Sequence, residues 1–228
     1  MIDLLQALRT TGAVREFTDA PVADDVIAAA LDTARFAPSG GNRQGWSVVV
    51  VKDATVRRGL RDLYLHGWYE YLSLRGAGLT PWSPLADRAQ EAAAIGGAAE
   101  IAASAPPDGF AERLDQVPVL LAVLVDLDAL AAVDRDLDRY TFAGAASVYP
   151  FAWSLLLAAR AVGLGGVLTT MVIRREPEAL ALLGAPEGFA IAALVALGYP
   201  THTFTKLTRE PVSSFTTVDR VDGPVFDV

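Results

Sequence analysis

Three apolar runs constrain this chain most strongly: "WSVVVV" (46–51), "VPVLLAVLV" (117–125) and "FAIAALVALG" (189–198). Each has the length of a buried strand, and none approaches the roughly 20 residues needed to span a bilayer. A fourth stretch, "VLTTMVI" (167–173), reads as a further extended segment.

The intervening sequence is helical in pattern. Ile2, Leu4, Leu5 and Leu8 mark a short amphipathic helix over 2–9. Asp24 and Asp25 sit in the first turn of an alanine-rich helix that Pro38 stops. "ATVRRGLRDLYLHGWYEYLSL" (54–74) reads as a helix with an aromatic side, "RGAGLTPWSP" (75–84) as a mobile loop resembling a lid, and 85–106 as helix fragments. A long helix rich in small residues is expected over 141–162, with Pro150 near its start or kinking it, and a short helix over 175–188. Three or four strands with five or six helices and an unpatterned 28-residue tail make an α+β chain. Such a tail needs a surface to pack on, and a partner subunit is the natural one.

Composition removes several chemistries. There is no cysteine, hence no thiol nucleophile, thiolate metal site or disulfide. A net charge of −8 argues against a nucleic-acid footprint. The opening "MIDLLQALRT" is too short and too acidic for a secretory signal, so a cytoplasmic, soluble protein is expected. Neither a metalloprotease pair, a D-x-D pair nor a G-x-S-x-G elbow occurs, and no metal site is expected. The glycines at 163–166 follow a helix and precede a strand, the reverse of a dinucleotide fingerprint. His66 lies in the aromatic helix and His202 follows "GYP"; each reads first as packing or surface.

What the chain offers instead is anion-gripping cations and polar, glycine-bearing loops. Arg9 and Arg15 flank "TTGAV", Lys206 and Arg209 lie in the tail, and "PSGGNRQ" (38–44) supplies Ser39, Asn42 and Gln44 beside Gly40 and Gly41. Separated basic points suit a phosphate, and polar loops suit the edges of a planar heterocycle. A redox cofactor would also account for the missing acids, bases and nucleophiles.

Four stretches, in order, carry a family resemblance: "AVREFTDAPV" (13–22), "ARFAPSGGNRQGWSVVVV" (34–51), "LLLAARAVGLGGVLTT" (155–170) and "IAALVALGYP" followed by "KLTREPVSSF" (191–215). In these the chain resembles the FMN-dependent nitroreductase superfamily. The resemblance implies an α+β nitroreductase-like fold over residues 1–228, with a central, mostly antiparallel sheet flanked by helices and a variable helical or lid region at about 54–110. It implies a homodimer with exchanged C-terminal extensions and FMN at the subunit interface. Arg15 then lies near the flavin and its phosphate. Pro38, Ser39 and Gly40 reach the ring from one subunit, with Asn42 and Gln44 beside them. Leu168, Thr169 and Thr170 approach the reactive edge, and Arg209 meets the phosphate with Lys206 helping. Arg9 is a further candidate for the phosphate. Trp68, Tyr69 and Trp82 are assigned to the acceptor pocket.

The activity implied is NAD(P)H-driven ping-pong reduction of a nitroaromatic, quinone or related planar acceptor through flavin N5, with no catalytic side chain. Alternatives are a specialised flavin-dependent dehydrogenase or reductive enzyme for a particular metabolite, and a non-catalytic flavin carrier. The chain departs from the pattern at Gly12 and Ala13, where many members carry an arginine and a serine. Gly45 stands where a proline is common, and Thr170 and Met171 replace an acidic or glycine residue near the ring edge.

Overall fold

The sheet explains why the apolar runs are continuous rather than alternating. In the computed structural model, which describes residues 2–226, four strands run in the order β1-β2-β4-β3. They are β1 Trp46–Val50, β2 Val119–Asp126, β3 Gly165–Thr169 and β4 Phe189–Gly198, and every neighbouring pair is antiparallel. Both faces are covered. On one, Val119, Leu121 and Val123 meet helices α2 (Asp24–Ala34) and α6 (Tyr149–Ala161) through Ile27, Phe151 and Leu155. On the other, Leu120, Ala122 and Leu194 meet α3 (Ala54–Gly76), α7 (Glu176–Leu183) and the segment Met171–Arg175. A strand with helices on both sides has no polar face to show.

The register between β2 and β4 shifts at Val123/Leu124, which pair with Ala193 and Ile191. Ala192 is thus the extra residue of a bulge, and its carbonyl accepts a hydrogen bond from the Tyr149 hydroxyl at 3.1 Å.

Three expectations are corrected. The helix expected over 141–162 is Tyr149–Ala161, preceded by a 3₁₀ turn at Ala143–Ser147. Pro150 sits in its first turn, where a missing N–H costs nothing. The extended segment begins at Gly165 and ends at Thr169; residues Met171–Arg175 turn into a 3₁₀ helix so that Val172 is buried beneath α3. The stretch 85–106 divides at Gly96 and Gly97 into α4 (Arg88–Ile95) and α5 (Ala98–Ser104), so with α1 (Leu4–Thr10) the described residues hold seven α-helices rather than five or six. No helix among the described residues is long and apolar enough to cross a membrane.

The two edges of the sheet carry different segments. Beyond β3, residues 13–18 run alongside: Ala13 pairs with Gly166, the Val14 N–H donates to Gly166 O at 2.9 Å, and Thr18 N–H to Tyr199 O at 2.8 Å. The opposite edge is β1, entered by the loop 38–45. At about 4.8 Å per strand spacing, the edges lie roughly 14 Å apart.

Candidate functional site

At the β3 edge, Arg15 projects into a cleft of about 500 Å³, exposed at its rim. Leu168, Thr169 and Thr170 line the same cleft where β3 ends. Its other wall is a stripe of α3: Tyr64, Trp68, Tyr71 and Arg75, spaced four, three and four residues apart. Successive rings stack, with centroids 6.4 Å apart for Tyr64–Trp68 and 5.5 Å for Trp68–Tyr71. Burial pushes the Tyr64 phenol above its ordinary pKa, partly offset by Thr169, whose hydroxyl stands 3.5 Å away, and by the charge of Arg15.

A second cleft, of about 470 Å³, gathers Arg9, Lys206 and Arg209. Among the described residues none of the three pairs with a carboxylate; Arg209 donates only to the neighbouring Thr208 carbonyl at 2.7 Å. The tail reaches this place over Gly12, where a Cβ would stand 2.7 Å from the Phe204 ring and 3.1 Å from Leu207. A side chain at 12 would have to displace the Phe204 ring and the end of Leu207. The departure at Gly12 is therefore tied to how Phe204 packs.

The loop Pro38–Gln44 lies at the opposite, β1 edge, so one chain does not bring it to Arg15 and Thr169. It is held in shape internally. The Gln44 N–H donates to Ser39 Oγ at 3.0 Å, and the Gln44 side-chain amide donates to Asn42 O at 3.2 Å. Asn42 and Gln44 both adopt positive φ, 54° and 52°, which costs non-glycine residues energy and is tolerated where surrounding contacts impose it. Pro38, Asn42 and Gln44 are exposed. Gly45 is required by packing: a Cβ there would lie 2.5 Å from Ala129 Cβ, which explains why proline is absent.

The three aromatic residues assigned to an acceptor pocket part company. Trp68 lines the Arg15 cleft. Tyr69 faces elsewhere, donating to Glu112 Oε1 at 3.0 Å, and burial with that carboxylate pushes its phenol pKa up to about 12. Trp82 does not line the cleft directly; its ring stands 6.3 Å from Tyr71 and beneath the Arg174 guanidinium at 5.0 Å. His66 Nε2 lies 3.2 Å from Glu70 Oε1, while His202 is exposed with its ring edge toward Phe204.

Tyr71 and Arg75 fall in the stretch 66–82 that the sequence places at the acceptor pocket or its lid, whereas Tyr64 and Phe110 are cleft residues that the sequence alone did not assign to a site. The 64-68-71-75 spacing on one helix was the available signal. Among the described residues, no group of three or more histidine, aspartate or glutamate side chains is placed to hold a metal ion.

The family model described as "Nitroreductase family" matches residues 8–199. This chain belongs to the nitroreductase family. It is accordingly an oxidoreductase, and the match spans both sheet edges but ends before Lys206 and Arg209. Among relatives, a protein named NADH dehydrogenase from Thermus thermophilus is 27% identical over 229 residues, covering 89% of each chain. A solved structure of a BluB-like flavoprotein from Clostridium difficile 630 shares the fold with a TM-score of 0.69, at 19% identity, covering 96% of this chain and all of that one. Oxidised iodotyrosine deiodinase, solved with FMN and 3-iodo-L-tyrosine, matches with a TM-score of 0.64 at 21% identity, over 92% of this chain and 96% of the other. The nitroreductase fold is thus shared with flavoproteins of differing named activities.

Proposed function

We propose that this chain forms a single FMN-binding domain that works as a homodimer. In this reading it is reduced by NAD(P)H and reoxidised, ping-pong fashion, by a nitroaromatic, quinone or similar planar acceptor. The observation that carries the reading is the convergence of Arg9, Lys206 and Arg209 on one cleft without a carboxylate partner among the described residues. Two guanidiniums and an ammonium, unpaired among the described residues, form a donor set that meets a phosphate dianion with charge-assisted hydrogen bonds.

The residues present fit FMN at its other end as well. Arg15, beside the chain at Leu168–Thr170, offers a cation and backbone groups to the electron-rich edge of a ring. When bound, the flavin supplies the two-electron chemistry that no side chain of this protein can perform. The protein's own work is positional. Arg9, Lys206 and Arg209 hold the phosphate, Arg15 favours negative charge on the ring, and the aromatic wall of α3 excludes water from one side. Tyr64, held as a neutral phenol by burial, keeps its proton at neutral pH.

The loop Pro38–Gln44 sits at the far sheet edge, three strand spacings across the sheet from β3, with Asn42 and Gln44 exposed. This supports a site completed by the loop of a second copy. Exposed apolar side chains fit that assembly: Leu4 and Leu5 on α1 are 68% and 62% exposed, and Phe215 in the tail 72%. Residues 54–110 contribute the acceptor side through α3.

A specialised reductive enzyme for one metabolite is the second reading, favoured by the continuous aromatic wall of the Arg15 cleft. Stopped-flow reduction of the flavin by NADH and NADPH, followed by reoxidation with a panel of quinones and nitroaromatics, tests the proposal. Fast reduction with discharge to several acceptors is expected. Rapid reduction with no discharge to any of them favours the specialised reading, and no reduction by either nicotinamide removes the proposed activity.

A further inference from the structure

Arg75 is the cation in the aromatic cleft that the flavin reading leaves unused. It sits in the last turn of α3, exposed, with its guanidinium 5.8 Å from the centroid of the Tyr71 ring. Among the described residues no carboxylate pairs with it, in contrast to Arg174, whose Nε donates to Glu70 Oε2 at 2.7 Å while the guanidinium covers Trp82. Among the described residues the cleft is lined by two arginines and by no acidic side chain. Arg15 stands at the β3 end, and Arg75 stands at the far end of the stripe that begins with Tyr64.

An arginine held beside a ring, with its planar fork free, is arranged to take a carboxylate or similar anion edge-on while the anion's own ring stacks on neighbouring aromatics. Trp68 and Tyr71 supply that stacking surface, their rings 5.5 Å apart and tilted by only 18°. The cleft volume of about 500 Å³ lies in the range of small-molecule sites. From this geometry we infer that the acceptor this protein is built for is a planar aromatic molecule bearing an anionic substituent, and that Arg75 is the residue that selects it. The inference rests on the flavin reading for the identity of the pocket, and adds the substrate class.

The alternative source of an anion is the reductant, since NADPH carries a phosphate that NADH lacks. The position of Arg75 favours the acceptor, because the guanidinium caps a run of stacked rings within the cleft, where a flat molecule is bound along its length.

The test titrates purified holoprotein, without reductant, with 4-nitrobenzoate and 4-nitrobenzamide in a calorimeter. The two share a ring and differ in charge. One charge-assisted hydrogen bond is expected to make the benzoate bind about 10-fold tighter or more. Arg75→Gln should bring the ratio close to unity, and Arg75→Lys should recover part of it, since it keeps the charge and loses the fork. The same ratio should appear in kcat/KM for the two acceptors. Equal affinities in the unaltered protein, or a ratio that Arg75→Gln leaves in place, would overturn the inference. So would an Arg75→Gln variant whose NADPH-to-NADH preference changes while its acceptor ratio does not. The flavin spectrum and quinone reduction of the same sample separate the levels of failure. Flavin and turnover without anion preference remove only the acceptor class, whereas absence of flavin removes the function and this inference together.

Discussion

The backbone N–H of Gly40 donates to Ser147 Oγ at 3.0 Å, joining residues 107 apart in sequence. Gly40 lies in the loop proposed to face the flavin of a second copy, so the turn Ala143–Ser147 sets where that loop stands. Ser147→Ala leaves the N–H without a partner, at a cost of about 1–3 kcal/mol. We expect a modest fall in melting temperature together with weaker FMN binding by fluorescence titration. A loss of stability with unchanged FMN affinity would show that the contact serves the fold alone.

Asp134 holds that turn from the other side. Buried, it accepts from Thr141 Oγ1 at 2.7 Å, Phe142 N–H at 2.9 Å and Arg139 Nη1 at 2.8 Å. The Phe142 N–H first, then the Thr141 hydroxyl, hold its pKa well below the usual carboxylate range. A depressed folded pKa contributes stability above the unfolded value of about 3.9 and loses it as pH falls through the folded value. Asp134→Asn should therefore melt earlier than the parent at neutral pH, with the gap closing as pH drops below about 4. A gap constant with pH would mean that the carboxylate charge is irrelevant.

The two groups of cations predict different kinetic signatures. Arg209→Ala should loosen FMN by roughly 10- to 150-fold, the worth of a charge-assisted hydrogen bond of about 1.5–3 kcal/mol. Turnover at saturating FMN should change far less. Arg15→Ala should also slow flavin reduction at saturation, because its cation lies in the cleft with Thr169 and Thr170. Titration paired with stopped-flow reduction distinguishes the two. Equal FMN affinity in the parent and both variants would contradict the phosphate assignment.

Truncation after Pro200 removes Lys206 and Arg209 together with exposed Phe215. It should yield a species that light scattering reports as a monomer and that does not retain flavin. A truncated dimer with full flavin would contradict the assigned role of the tail.

The sheet was legible because both its faces are covered, so strand segments such as 119–125 appear as unbroken apolar runs. The loop Pro38–Gln44 was legible as a local motif whose polar residues and glycines neighbour one another in sequence. Legibility failed where long-range packing decided. Thr170 leaves the sheet because Val172 buries under α3, and the close approach is visible at Gly67, where a Cβ would meet the Met171 carbonyl at 2.3 Å. Tyr69 and Trp68 are adjacent in sequence yet face different surroundings, since consecutive helical positions lie about 100° apart. The partnership of Arg9 with Lys206 and Arg209 depended on the path of a tail without periodicity, which Gly12 and Phe204 fix only in three dimensions.

Whether this chain carries FMN is decided by the absorption spectrum of the purified protein, read before and after denaturation, with the released chromophore identified chromatographically. Flavin bands are expected, with release of FMN in amounts equimolar with the chain and rebinding of FMN by the refolded apoprotein as a dimer. A colourless protein that takes up no FMN when titrated would contradict the assignment of both clefts.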